Sequence, residues 1–136
     1  MSISKTTAGL FGAVYLLVGI VGFIPVLGGA DGLTSHNLLG LFPVNAVHNV
    51  VHMAVGLLGL LAYSRGAGAS RLFARGIGAV YLVLAVVGAI FSTGNFLGIV
   101  PIGGLDIALH AASAVVLLVV GFAPEAPASR IAGNTA

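Results

Sequence analysis

The sequence predicts an all-α membrane protein whose four transmembrane helices form two parallel hairpin repeats with pseudo-two-fold symmetry. Three observations lead to this prediction: an apolar composition, four stretches long enough to span a bilayer, and a second half that repeats the first. Hydrophobic residues occupy 59% of the 136 positions and charged residues only 6%, with a mean hydropathy of +1.18. Soluble domains carry about 25% charged residues, so this chain has too few polar groups to cover its surface in water.

The four apolar stretches lie near residues 8–27, 46–63, 74–91 and 105–122. Each approaches the roughly 20 residues that a helix needs to cross a hydrocarbon core about 30 Å thick. The first stretch follows a lysine, as a secretory signal would, but it exceeds the roughly 7–15 apolar residues of a signal peptide. We therefore expect it to be retained as the first helix. The chain contains no cysteine, which excludes disulfides and thiolate metal sites.

The two halves align with each other along both of their predicted helices. In the first helices, GAVYLLVGIVG at 12–22 matches GAVYLVLAVVG at 78–88. Self-similarity of this kind indicates a repeat architecture, and because each repeat has two spans, both enter the membrane from the same side. The predicted boundaries are 1–136 for a single membrane domain, about 5–63 and 71–122 for the repeats, and 123–136 for a short cytoplasmic tail.

The basic residues lie at one end of the predicted bundle. They precede the first span, fill the central connection and follow the last span: Lys5, Arg65, Arg71, Arg75 and Arg130. Cytoplasmic connections carry an excess of Lys and Arg, so we expect both termini and the central connection to be cytoplasmic. The central segment SRGAGAS, 64–70, has the composition of a flexible linker. The apolar runs of the two outer connections, 38–44 and 96–102, are expected to lie in the membrane interface over the outer end.

Four ionisable residues occupy equivalent places in the second helix of each repeat. Aligning NLLGLFPVNAVHNVVH with NFLGIVPIGGLDIALH superposes His52 on His110 and places Asp106 where His48 stands. Ionisable side chains are costly inside a membrane and mark functional sites by default. Within each helix the two residues are one turn apart and share a face. The sequence therefore predicts one polar cluster near the outer end of the bundle.

Small residues recur along the predicted helices, often at matching places in the two repeats. They allow helix backbones to approach closely in a membrane, where apolar burial cannot drive association. The residues predicted to lie at helix–helix contacts are Gly12, Gly19, Gly22, Gly56, Gly59, Gly78, Gly88 and Ala114.

The residues allow three interpretations of the polar cluster. In the first, the side chains only hold the helices together. His48 pairs with Asp106, while His52 and His110 bond to each other, to Asn45 or Asn49, or to water. In the second, His48, His52, Asp106 and His110 bind a transition metal. Imidazole and carboxylate groups are suitable ligands for zinc or iron. In the third, His52 and His110 are axial ligands of a haem or of chlorin rings. The ring would occupy the space left by small residues of the second and fourth helices, Gly56, Gly59, Ala111 and Ala114.

The most favoured function is that of a non-catalytic accessory or assembly subunit that packs against other membrane protein subunits, or against a second copy, within lipid. Metal, haem or chlorin binding by a redox or pigment subunit is the alternative. Transport of a proton or small solute comes third, because no ionisable residue lies in the inner half of a predicted span. No nucleophile–base pair, phosphate loop or cofactor fingerprint predicts an enzyme, and the five basic residues form no nucleic-acid footprint.

The run FPVNAVHNVVH resembles the characteristic motif of a family of small bacterial four-helix membrane proteins classed as a domain of unknown function. The resemblance extends over about 6–122. Its motif residues here are Pro43, Asn45, His48, Asn49 and His52, with a weaker echo at Gly94, Asn95, Pro101, Asp106 and His110. The resemblance implies four spans and a location in the bacterial inner membrane, and it implies no activity.

Overall fold

The computed structural model describes residues 2–91 and 97–124. Its four long helices are α1 (Ile3–Val21), α2 (Ala46–Arg65), α3 (Ala67–Phe91) and α4 (Leu105–Phe122). Each has at least 18 residues, and their most apolar windows have mean hydropathies of 1.5 to 2.1, so all four are long and apolar enough to cross a membrane. The predicted fold class, a four-helix membrane protein, is confirmed. Gly94, Asn95, Arg130 and the tail beyond Pro124 lie outside the described residues.

The first helix starts and ends about five residues earlier than the sequence predicts. Ser2 is its N-cap, and the Ser2 hydroxyl accepts a hydrogen bond from the Lys5 backbone N–H at 3.4 Å. The helix ends at Val21, and Pro25 opens a separate 3₁₀ turn, Pro25–Leu27. Proline has no N–H to donate and clashes with the preceding helical turn, so the helix ends before the apolar run does.

The central connection is a sharp corner rather than the predicted linker. Only Gly66 separates α2 from α3, and its φ of 101° is one that glycine adopts without a steric penalty. Ser70, in the first turn of α3, is fully buried, and its hydroxyl donates to the Ala62 carbonyl at 3.1 Å. The linker prediction was wrong, because Gly66 turns the chain sharply and the buried Ser70 holds the start of α3 against the end of α2.

The first outer connection contains an antiparallel β-hairpin, which the sequence did not predict. Its strands are β1 (His36–Leu38) and β2 (Phe42–Val44). Leu39 and Gly40 form the turn with φ angles of 53° and 72°, and positive φ at both central residues is typical of a type I′ hairpin turn. In the second repeat, Leu97 and Gly98 have nearly the same φ angles, 53° and 73°.

Helices α1 and α2 approach each other through their backbones. A Cβ atom on Gly12 would lie 2.6 Å from the Leu60 nitrogen, and one on Gly59 would lie 2.8 Å from the Gly12 Cα. Gly56 faces Leu16 of α1 in the same way, while Gly19 and Gly22 face Met53 and Asn49. The first repeat is therefore locked by direct contact between backbones.

The contact between α3 and α4 is made through side chains instead. A Cβ atom on Gly78 would lie 2.9 Å from the Leu118 side chain, and one on Gly88 would lie 3.0 Å from the Ile107 side chain. Ala114 is fully buried. The hydrophobic core runs through the middle of the bundle and consists of Ala8, Tyr15, Val55, Ala62, Phe73, Ala74, Tyr81, Ala114 and Leu117.

Candidate functional site

Asn45 fixes the start of α2 and therefore the position of the first histidine. Its side-chain oxygen accepts from the His48 backbone N–H at 2.9 Å, which is an N-cap interaction. Its amide group donates to the Leu33 carbonyl at 3.2 Å and to the Ile99 carbonyl at 2.7 Å. Asn45 thus ties the first turn of α2 to both outer connections.

The structure brings together the four ionisable residues that the sequence singled out. His48, His52, Asp106 and His110 are each at most 5% exposed, and we call them the polar cluster. The centroid of the His52 ring lies 4.4 Å from that of His48 and 6.3 Å from that of His110. Residues from α2 and α4 therefore form one buried site at the hairpin end of the bundle.

The hydrogen bonds within the polar cluster differ from the predicted ones. His52 Nε2 lies 2.9 Å from His48 Nε2, so His52 bonds to its neighbour on α2 and not to His110. His110 Nδ1 lies 2.8 Å from the Asp106 carbonyl oxygen, and only a protonated Nδ1 can donate to that acceptor. Each of the three histidines is thus hydrogen-bonded within its own helix.

Asn49, which the sequence suggested as a partner for the histidines, bonds elsewhere. Its amide donates to the Gly22 carbonyl at 2.6 Å and to the Ala30 carbonyl at 3.0 Å. It therefore holds the segment that follows α1 against α2.

The Asp106 carboxylate lies near two imidazoles without a short hydrogen bond to either. Its Oδ1 is 4.0 Å from His48 Nε2, and its Oδ2 is 3.4 Å from His110 Nδ1. Within the described part of the chain, the buried side-chain polar atoms with no hydrogen-bond partner are Asp106 Oδ2, His48 Nδ1 and the hydroxyl oxygen of Tyr81. Buried polar groups are normally paired, and leaving one unpaired costs about 1–3 kcal/mol.

Two tyrosines pack directly beneath the polar cluster. The Tyr15 ring lies 5.2 Å from the His52 ring, and the Tyr81 ring lies 4.9 Å from the His110 ring. The Tyr15 hydroxyl is 2.7 Å from the Ser113 hydroxyl. Sequence reasoning did not include these residues in the site, although Tyr15 and Tyr81 occupy the same place in the two repeats.

A cavity of about 600 Å³ leads from the side of the bundle to the polar cluster. Its walls are almost entirely apolar and come from α1, α4 and the β-hairpin, with α2 behind them. Leu10 and Leu17 of its α1 wall are 62% and 61% exposed, so the opening faces the hydrocarbon region of the membrane. The polar groups that line the cavity are Tyr15, His48, His52, Asp106 and Ser113.

The described residues favour neither a metal nor a haem. Across 2–91 and 97–124, no group of three or more His, Asp or Glu side chains has an arrangement that could hold a metal ion. The space at Gly56 and Gly59, which a haem or chlorin ring would need, is filled by α1. Metal ligation by the polar cluster, and axial ligation by His52 and His110, stay predictions.

The remaining polar residues lie outside the site. Asp31 and His36 are exposed, as expected of loop residues. Arg75 Nε donates to the Gly121 carbonyl at 2.7 Å, and Arg71 Nη2 donates to the Ala123 carbonyl at 2.9 Å. Cations stabilise the unsatisfied carbonyls at a helix C-terminus, so these arginines anchor the end of α4 that is opposite the polar cluster.

Comparison with known protein families identifies a family model that matches most of the chain. A family model described as "Domain of unknown function (DUF4383)" matches residues 5–123. This segment contains nearly all of the four helices, and it contains the whole polar cluster. No curated protein and no solved structure matches the chain.

Proposed function

The chain belongs to the DUF4383 family, and we propose that it is a non-catalytic membrane protein that binds a small lipid-soluble ligand at the polar cluster. One observation carries this proposal. The cavity of about 600 Å³ opens towards the hydrocarbon and ends on His48, His52 and Asp106. Small-molecule sites are typically apolar cavities of about 300–1,000 Å³ with a few polar groups that orient the ligand.

The unpaired atoms of the polar cluster support binding over a purely structural role. A cluster that serves only to hold helices together is expected to satisfy its own polar atoms. Here Asp106 Oδ2 and His48 Nδ1 have no partner among the described residues, and both side chains line the cavity. A bound molecule that supplies hydrogen bonds would offset this cost.

The hydroxyl of Ser113 supports a non-catalytic role. It bonds to Tyr15, whereas an activated serine would bond to an imidazole base. We propose that the chain acts as an accessory subunit that holds its ligand for another membrane protein or for a second copy. The basic residues at the opposite end, among them Arg71 and Arg75, support an orientation with both termini in the cytoplasm of a bacterium and the polar cluster near the outer face.

The test is to extract whatever co-purifies with the protein and to ask whether it occupies the cavity. Val14 lines the cavity and is 55% exposed, so Val14→Trp fills space without displacing a packed helix. Val80 occupies the same place in the second repeat, is 51% exposed and does not line the cavity. Val80→Trp is therefore the matched control.

Protein purified in mild detergent is extracted with solvent, and the extract is analysed by mass spectrometry. We expect about one equivalent of a small apolar molecule from the wild type and from Val80→Trp, and much less from Val14→Trp. Equal recovery from all three proteins, or recovery from none, would contradict the proposal. A visible absorption spectrum and elemental analysis of the same samples test the haem, chlorin and metal alternatives.

A further inference from the structure

We infer that the ligand is a neutral aromatic hydroxyl compound with an apolar tail, that is, a lipid-soluble phenol or quinol. This inference rests on the proposed function and names the chemistry of the ligand. It follows from four properties of the cavity: where it opens, which charges line it, which polar atoms lack partners, and which rings form its walls.

The opening of the cavity favours a ligand that resides in the bilayer. Leu10, Val14 and Leu17 line the cavity on α1 and are each more than half exposed. A molecule can therefore enter sideways from the hydrocarbon and leave its tail there. An apolar tail is surrounded by hydrocarbon whether the ligand is bound or free, so tail burial adds little to the binding free energy. The polar head must therefore supply the specificity.

The charges around the cavity disfavour an anionic head. Asp106 is the acidic residue in its lining, and no Lys or Arg lines it among the described residues. A carboxylate or phosphate head would meet the Asp106 carboxylate in a medium of low dielectric, where an unpaired charge is costly. Free fatty acids and phospholipid headgroups are therefore poor candidates.

The surroundings of Asp106 also disfavour a quaternary ammonium head. The carboxylate is already flanked by His48 Nε2 at 4.0 Å and His110 Nδ1 at 3.4 Å. A quaternary ammonium would approach these imidazoles as well as the carboxylate, and it has no proton to donate to Asp106 Oδ2. The polar cluster therefore offers positions for hydrogen bonds rather than a free counter-charge.

The unpaired atoms of the cluster match a hydroxyl head. Asp106 Oδ2 is a buried acceptor that makes no hydrogen bond among the described residues, because the His110 Nδ1 proton, 3.4 Å away, is donated to the Asp106 backbone carbonyl. A hydroxyl donates to a carboxylate in a charge-assisted hydrogen bond, which is stronger than a neutral one. The oxygen of the same hydroxyl, or a second hydroxyl of a quinol, can pair with an imidazole nitrogen of His48.

The walls near the polar cluster match a flat ring. Phe11 and Tyr15 both line the cavity, and their rings are stacked at 5.9 Å with planes 15° apart. Aromatic rings pack favourably against one another in offset or edge-on arrangements. An aromatic head can therefore lie against this pair while its hydroxyl reaches Asp106.

The experiment compares tailed probes that differ only in their polar end. Full-length protein in nanodiscs of zwitterionic lipid is equilibrated with 4-decylphenol, its methyl ether, decanoate or decyltrimethylammonium, and bound probe is measured by equilibrium dialysis. We expect one phenol per chain and at least tenfold weaker binding of the methyl ether, because the ether cannot donate to the carboxylate. Decylhydroquinone in a parallel arm distinguishes a quinol from a simple phenol, since only a quinol site gains affinity from the second hydroxyl.

Two variants, with one control, test whether the preference for the phenol over its methyl ether arises in the cavity at the polar cluster. Val14→Trp should abolish saturable phenol binding, while Val80→Trp should retain it. Asp106→Asn replaces the carboxyl acceptor with an amide and should bring the phenol and ether affinities within about threefold. A tenfold preference that survives in Asp106→Asn would overturn the inference.

The outcomes separate the inference from the proposed function. Binding that depends on Val14 but is as tight for the ether, decanoate or ammonium probe as for the phenol would overturn the inference and leave the proposed function standing. If no probe binds in a manner that depends on Val14, and no molecule co-purifies with the wild type, both fail.

Discussion

His48 Nε2 and His52 Nε2 lie 2.9 Å apart on successive turns of α2. A hydrogen bond between two imidazole nitrogens requires one protonated and one bare nitrogen, so the two rings share a single proton at this contact. Both rings cannot be imidazolium without losing the bond. The two rings are therefore joined by one hydrogen bond beside the Asp106 carboxyl group, and His48 is the ring nearer to that group.

The pair of hydroxyls beneath the cluster should be energetically coupled. Tyr15→Phe and Ser113→Ala each remove one partner of the 2.7 Å hydrogen bond. A double-mutant cycle on unfolding free energy in detergent should give a coupling of about 0.5–1.5 kcal/mol. Additive effects of the two substitutions would show that the hydroxyls do not interact in the membrane-embedded protein.

Asn45→Ala should destabilise the hairpin end of the bundle. The substitution removes the N-cap of α2 and the two hydrogen bonds to Leu33 and Ile99, at a cost of about 3 kcal/mol. Thermal unfolding in detergent measures the loss. Asn37→Ala is the control, because Asn37 is exposed and exposed substitutions usually change stability by less than about 0.5 kcal/mol. Similar melting temperatures for the two variants would contradict the role assigned to Asn45.

Gly12→Ala should weaken the packing of α1 against α2. The added methyl group would lie 2.6 Å from the Leu60 nitrogen, and overpacking of this kind costs about 1–3 kcal/mol. Gly76→Ala is a matched control on α3, because nothing lies within 4 Å of the position that its Cβ would take. We expect Gly76→Ala to be neutral or slightly stabilising. The opposite order of stabilities would be incompatible with the described packing.

Asp106→Leu should lower the melting temperature in detergent. Asp106 is 1% exposed, and its removal leaves the neighbouring His48 and His110 nitrogens facing an apolar group. The expected cost is about 1–3 kcal/mol. Asp31→Leu, at an exposed position, provides the comparison. An unchanged melting temperature for Asp106→Leu would show that the carboxylate does not stabilise the bundle.

The orientation can be tested with reporter fusions. Reporters joined after Gly66 in a truncated chain and after Ala136 in the full chain should both read as cytoplasmic, because the basic residues lie at that end. A reporter joined after Thr34 should read on the opposite side. A periplasmic signal from either of the first two fusions would reverse the orientation.

The spans and the polar cluster could be predicted because their signals are strong and repeated. A long apolar run is read directly as a helix in a membrane, and the second repeat places Asp106 and His110 where the first has His48 and His52. The β-hairpin could not be predicted, because its strands have only three residues and its Leu39–Gly40 turn lacks the usual Asn-Gly or Asp-Gly pair.

The cavity escaped prediction for a different reason. Val14 and Leu17 are apolar residues on an apolar helix, and the sequence does not distinguish a residue that faces lipid from one that lines a cavity open to lipid. The partners of the histidines were also beyond prediction, because helical spacing shows that His48 and His52 share a face but does not show which nitrogens meet. The cavity depends on how α1 packs against α4, and the imidazole contact depends on the side-chain rotamers of α2; tertiary packing decides both.

The one-residue corner at Gly66 joins α2 to α3 more tightly than any connection joins α1 to α4. The four helices form a ring with three covalent joints, and the joint between α2 and α3 is braced by the bond from Ser70 to Ala62. Between α1 and α4 there is no joint, only a seam, and the cavity lies along it. A ligand that enters along this seam therefore passes between two helices that no connection joins directly, with the β-hairpin at one end of its path.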